Sequence, residues 1–110
     1  MTEVVFFRTK DQQITGFESR GHSGCAYDGE DIVCAGISAL VVTALNSIDQ
    51  LTDAQMTCEE DPEQALIRFE TDDYICKDVQ LLLQSLLLGL TGIEQSYGSS
   101  FIEVSFKEVE

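Results

Sequence analysis

The chain has 110 residues, enough for one domain around one core. Twenty Asp and Glu residues stand against six Lys and Arg, a formal charge of −14, which argues against nucleic acid as a direct partner because phosphate binding needs a basic face. An apolar content of 44 % excludes a disordered acidic tail and leaves an acidic globular surface suited to basic peptides and proteins.

Val4–Arg8 is a short β-rich run, Lys10–Gln13 a polar turn, and Ile14–Glu18 resumes with alternation, so the chain opens on a predicted hairpin. Gly16, inside the second strand, marks a candidate bulge. A loop over 21–30 follows. Asp31 is a candidate helix N-cap, and Val33, Ile37, Leu40, Ala44, Ile48 and Leu51 recur at steps of three and four, the apolar stripe of a core-facing helix. The segments 54–60 and 65–71 flank Asp61-Pro62-Glu63 and form a second predicted hairpin. Asp72 and Asp73 are candidate caps for a second helix from about Tyr74 to Tyr97, with Val79, Leu82, Leu83, Leu86, Leu90 and Ile93 as its core stripe. Phe101–Phe106 alternates as a last strand.

The predicted order is ββαββαβ: an α+β fold, one domain over 1–110, with two helices on a mixed sheet. Leu81, Leu87 and Leu88 add apolar residues off the core stripe of the second helix. A helix apolar nearly all round needs cover on more than one side, either from a wider contact with its own sheet or from a homodimer.

Glu3 and Arg8 interrupt any N-terminal apolar run, so no signal peptide is expected. The longest apolar stretch, Ile32–Leu45, is short for a membrane span. The expectation is a cytoplasmic protein without membrane contact, in which Cys25, Cys34, Cys58 and Cys76 are reduced thiols.

Two residues carry chemistry. His22, the sole histidine, ends an extended segment, and Cys34 lies twelve positions later near the start of the first helix. A thiol and an imidazole at element termini, joined by a glycine-containing loop, suit a cysteine nucleophile with its general base. Amides at a helix N-terminus favour thiolate and can hold a developing oxyanion. Asp28, Glu30 and Asp31 oppose the thiolate, so the site is consistent only if a protonated His22 approaches Cys34. Asp31 is a cap or an orienter of His22. Ser38, four residues beyond Cys34, shares its helix face and is either a hydrogen-bonding neighbour of the thiol or a small residue for helix packing. Ser23, Gly24 and Gly29 belong to the loop, which is a substrate lid or a plain connection.

Competing readings stay open at this point. An acidic, non-catalytic module could bind a basic protein. A metal site would need His22, Cys25 and Cys34 together, but no second paired ligand motif exists, so no metal is expected. The chain has no Cys-x-x-Cys pair for a redox thiol protein.

The segment itself adds to this. Gly21-His22, Gly29, Asp31-Ile32-Val33-Cys34-Ala35 and Ser38 closely resemble the signature of the ribosomal-processing cysteine proteases. The length, acidic character, opening hairpin and two-helix layout are similar to that family as well. The resemblance implies a homodimeric α/β protein with Cys34 as nucleophile and His22 as base, and no cofactor. It implies as substrate the N-terminal extension of large-subunit ribosomal protein number twenty-seven, whose removal belongs to ribosome maturation.

Overall fold

Alternating apolar residues in Thr2–Arg8 (β1) and Ile14–Arg20 (β2) make an antiparallel hairpin, closed by a turn in which the Gln12 N–H donates to the Thr9 carbonyl. A computed structural model of the protein describes residues 1–21 and 30–109, the side chains of 30 and 31 excepted. The hairpin is followed by Glu30–Leu51 (α1), Met56–Asp61 (β3), Leu66–Thr71 (β4), Lys77–Tyr97 (α2) and Ile102–Glu108 (β5). The five strands form one sheet in the order β3-β4-β2-β1-β5. β5 runs parallel to β1, and the other neighbours are antiparallel. The ββαββαβ order and the mixed sheet with two helices are as expected from sequence.

Register explains where the core lies. Phe6 stands opposite Phe17 and Phe106, and Phe17 opposite Phe69. Their rings stack across four strands at centroid distances of 5.8, 6.2 and 5.6 Å, within the range for attractive tilted pairs. Phe6, Phe17 and Phe69 are fully buried with Val33, Ile37, Val41, Ala44, Leu45 and Ile48 of α1 and Val79, Leu83, Leu86 and Leu90 of α2. The other side of the sheet is polar, with Arg68 bridging Glu18 and Glu70 and lying 5.1 Å from the Phe7 ring centroid. Each helix therefore serves as a crossover and as the cover of one sheet face. The helices run antiparallel, since a Cβ on Gly36 would meet Ile93 and one on Gly89 would meet Leu40.

Several sequence expectations shift. The stripe of α1 includes Val41 and Leu45, whereas Leu51 is exposed at the helix end. By length and composition α1 is long and apolar enough to cross a membrane from Ile32 to Leu51, longer than the run read to Leu45; here its buried residues pack on the sheet. α2 starts at Lys77, not Tyr74, and Cys76 is its N-cap residue, without a side-chain cap bond. The Asp73 carboxylate instead accepts from the Gln55 N–H at 2.6 Å. The register slip in the first hairpin passes from Phe7 opposite Gly16 to Arg8 opposite Ile14, so Thr15 is the extra residue. Gly16 has its own reason, because a Cβ there would lie 2.2 Å from the Phe69 carbonyl oxygen.

Gln80 closes the defect left by that bulge. Its Oε1 accepts from the Ile14 N–H at 3.0 Å, and its Nε2 donates to the carbonyls of Ile14 and Tyr74 at 2.6 and 2.7 Å. A side-chain amide on α2 thus stands in for the missing ladder partner of β2.

Candidate active site

The first strand pair and the first helix meet around a groove. β2 ends at Arg20, and Gly21 turns the chain with φ +78°, its N–H donating to the Ala65 carbonyl at 3.1 Å. A side chain at this position is doubly disfavoured: φ lies in the left-handed region, and a Cβ would sit 2.7 Å from the Met1 carbonyl oxygen. The glycine of the Gly-His pair is therefore fixed by backbone geometry.

Across the groove, α1 begins at Glu30. Asp31 consequently lies inside the helix and does not cap it, and at least four described helical residues precede Cys34, which is therefore not the third. The first N–H groups of a helix have no intrahelical acceptor, and the first described turn of α1 precedes Cys34. Side chains in a helix lean toward its N-terminus, so a thiol at Cys34 leans toward that first turn. Cys34 is half-buried, and Ser38, one turn on, is exposed.

Gly21, Cys34 and Ser38 line one groove of about 350 Å³. Ile37 and Val41 extend the α1 wall; Ala65, Leu66 and Ile67 form the opposite wall; Thr2 and Ser19 lie between them on the sheet. Glu60, Asp61 and Pro62 of the second hairpin close one end. A mostly apolar cleft with a few polar groups is the usual form of a substrate site. His22, Ser23, Gly24 and Gly29 lie outside the described residues. Among the described residues, no cluster of three or more His, Cys, Asp or Glu side chains has metal-binding geometry.

Sequence reasoning missed the hairpin wall and the groove's sheet floor. Neither has a local signal, because the pairing of β1 with β2 and of β2 with β4 together place them beside the helix. Of the other thiols, Cys58 is exposed on β3, and partial burial, then the nearby Glu60 carboxylate, push its pKa above the ordinary thiol value.

A half-buried thiol near a helix start, lining a mostly apolar cleft, is an arrangement that a thiol hydrolase can use. The sequence profile of the family described as Cysteine protease Prp matches residues 1–102, and the chain belongs to that family. It is 30 % identical over 101 residues to the ribosomal processing cysteine protease Prp of Bacillus subtilis, covering 88 % of this chain and 90 % of that one. It is also 30 % identical over 95 residues to the protein of the same name from Staphylococcus aureus, covering 86 % and 89 %. Among solved structures, an essential ribosomal processing protease Prp from S. aureus with a covalently linked product peptide matches at a TM-score of 0.88 and 29 % identity, covering 97 % of this chain and 100 % of that one. A Streptococcus mutans protein matches at 0.87 and 26 % identity, with 99 % of both chains covered.

Proposed function

We propose that the protein is a cysteine endopeptidase with a Cys34–His22 dyad, acting in the cytoplasm on the N-terminal extension of large-subunit ribosomal protein number twenty-seven. The observation that carries the reading is that Gly21 and Cys34 line the same groove. His22 directly follows Gly21 in the chain. The relatives' names support a ribosomal substrate, and S. aureus Prp has been solved with a substrate peptide and with a covalently linked product peptide. A basic ribosomal protein also complements a chain of charge −14.

The chemistry follows from the two groups. His22 takes the proton of the Cys34 thiol, leaving a thiolate beside an imidazolium. The thiolate attacks the scissile carbonyl carbon, and the oxyanion that forms is held by the free amides of the first turn of α1. His22 gives its proton to the leaving amine, the C–N bond breaks, and a thioester to the extension remains. Water, deprotonated by His22, attacks the thioester; the extension leaves as a carboxylic acid and the thiol is restored. Asp31 and Ser38 support this pair from the same helix, and Ser23, Gly24 and Gly29 supply the substrate loop. The active unit is a homodimer that covers the exposed Leu81 and Leu88 of α2.

Mass spectrometry of the extended ribosomal protein after incubation tests the reading. A shortened product with wild type, and none with Cys34→Ala or His22→Ala, is expected. An intact substrate with folded, reduced wild-type protein would leave an acidic binding module in its place.

A further inference from the structure

The floor of the groove carries two polar side chains that no other described residue engages. The buried polar residues of the described chain are Thr2, Ser19 and Thr71, exposed by 3 %, 7 % and 6 %. Thr71 is satisfied: its hydroxyl donates to the Gln55 carbonyl at 2.6 Å and accepts from the Asp73 N–H at 3.0 Å. The hydroxyls of Thr2 and Ser19 have no hydrogen-bond partner among the described residues. Both line the groove beside Cys34. Ser19 stands opposite Val4, and Thr2 is two residues from Val4 on the same helix-facing side.

Buried hydroxyls without partners are uncommon in native proteins and call for a water or a ligand. The groove volume of about 350 Å³ is some ten times the ~30 Å³ share of one liquid water, so the space exceeds what a single bridging water needs. Its walls decide what fits. Ile37, Val41, Leu66 and Ile67 offer apolar contact along the length of an entering side chain. A carboxylate tip meets Glu60 and Asp61 at the end of the groove and only two hydroxyls to replace its hydration. A cationic tip finds its partner at the exposed Glu60, away from the floor. A purely hydrocarbon side chain fills the groove but displaces water from both hydroxyls without replacing it.

We propose that this groove is a specificity pocket for a substrate side chain that is apolar along its length and ends in an uncharged hydrogen-bonding group, received by the Thr2 and Ser19 hydroxyls. Its role as a substrate subsite rests on the protease reading above; its binding preference does not. Sites that hydrogen-bond a substrate hydroxyl reject the analogue lacking it, because their own polar groups are then stranded.

The probes are N-acetyltyrosinamide and N-acetylphenylalaninamide, titrated into the whole protein and followed through the amide resonances of Ser19, Ile37 and Ile67. Wild type should bind the tyrosine probe about 3- to 10-fold more tightly, the discrimination one hydrogen bond provides. In a Thr2→Val/Ser19→Ala double variant the ratio should fall to about one. Because neither hydroxyl has a partner among the described residues, the double variant should melt at or above the wild-type temperature, which separates loss of recognition from loss of fold. No shift at the groove, equal binding by wild type, or a preference that survives in the double variant would overturn the inference. Cleavage of the extended ribosomal protein is scored in parallel. Cleavage with no probe preference sinks the pocket alone. The expected preference without cleavage sinks the protease reading and leaves the pocket's selectivity standing.

Discussion

Replacing Gln80 tests whether a side-chain amide completes the start of β2. Gln80→Leu keeps the apolar stem and removes three bonds, from the Ile14 N–H and to the Ile14 and Tyr74 carbonyls. At about 0.5–1.5 kcal/mol each, the loss is roughly 2–4 kcal/mol, a large share of the ~5–15 kcal/mol of a typical domain. Gln80→Glu sharpens the test. The introduced carboxylate can still accept from the Ile14 N–H, but it faces two carbonyl oxygens where Nε2 now donates. Only the protonated acid can donate there, so its pKa in the folded state is raised above the unfolded value of about 4.3. With a raised folded pKa, the variant is closest to wild type below about pH 4 and falls away as pH rises through the folded value. Urea unfolding followed by circular dichroism at pH 4 and pH 7 measures both effects. A Gln80→Leu loss under about 0.5 kcal/mol, or a Gln80→Glu penalty that does not grow with pH, would refute the reasoning.

Glycines give a contrasting pair. Gly16→Ala should destabilise by about 2–4 kcal/mol, since its Cβ collides with the Phe69 backbone, whereas Gly92→Ala, with nothing within 4 Å of the new Cβ, should stabilise α2 by about 0.5–1 kcal/mol; thermal melts of both variants decide. Iodoacetamide at neutral pH should label Cys34 before Cys58, whose raised pKa leaves less thiolate at any given pH, and Glu60→Gln should speed Cys58 only slightly because burial is the larger cause. Peptide mass mapping over time reads both rates. Light scattering should give twice the 12.2 kDa chain mass for wild type, and a Leu81→Arg/Leu88→Arg variant should give the chain mass with unchanged circular dichroism; a monomeric wild type across a concentration series would remove the dimer.

Alternation in β1, β2 and β5 and the three-four spacing of α1 and α2 were legible because each element buries one face, and burial of one face imposes its period on the sequence. The ends of elements were not. Asp73 looks like a cap in sequence, but a partner on the β3 side takes its carboxylate, so α2 begins only after Cys76. Leu51 fits the apolar period yet falls where α1 leaves the sheet. Gly16 does flank the bulge, whose extra residue is Thr15, but the space it leaves also answers a carbonyl on a strand some fifty residues away, which no local pattern shows. At the site, Cys34 was visible through its motif and Ser38 through helical spacing, and both line the groove. Thr2, Ser19 and the β3–β4 wall were invisible, because long-range strand pairing assembles them and no local pattern encodes it.

The central claim is that Cys34 carries the reaction covalently. Mixing wild-type protein with the extended ribosomal protein, quenching in acid within the first turnover and mapping the adduct by mass spectrometry tests it most directly. The account predicts a thioester on the peptide containing Cys34, with the added mass of the extension, which builds up before free extension appears. Release of the extension without any adduct, an adduct on another cysteine, or cleavage by Cys34→Ala would contradict it.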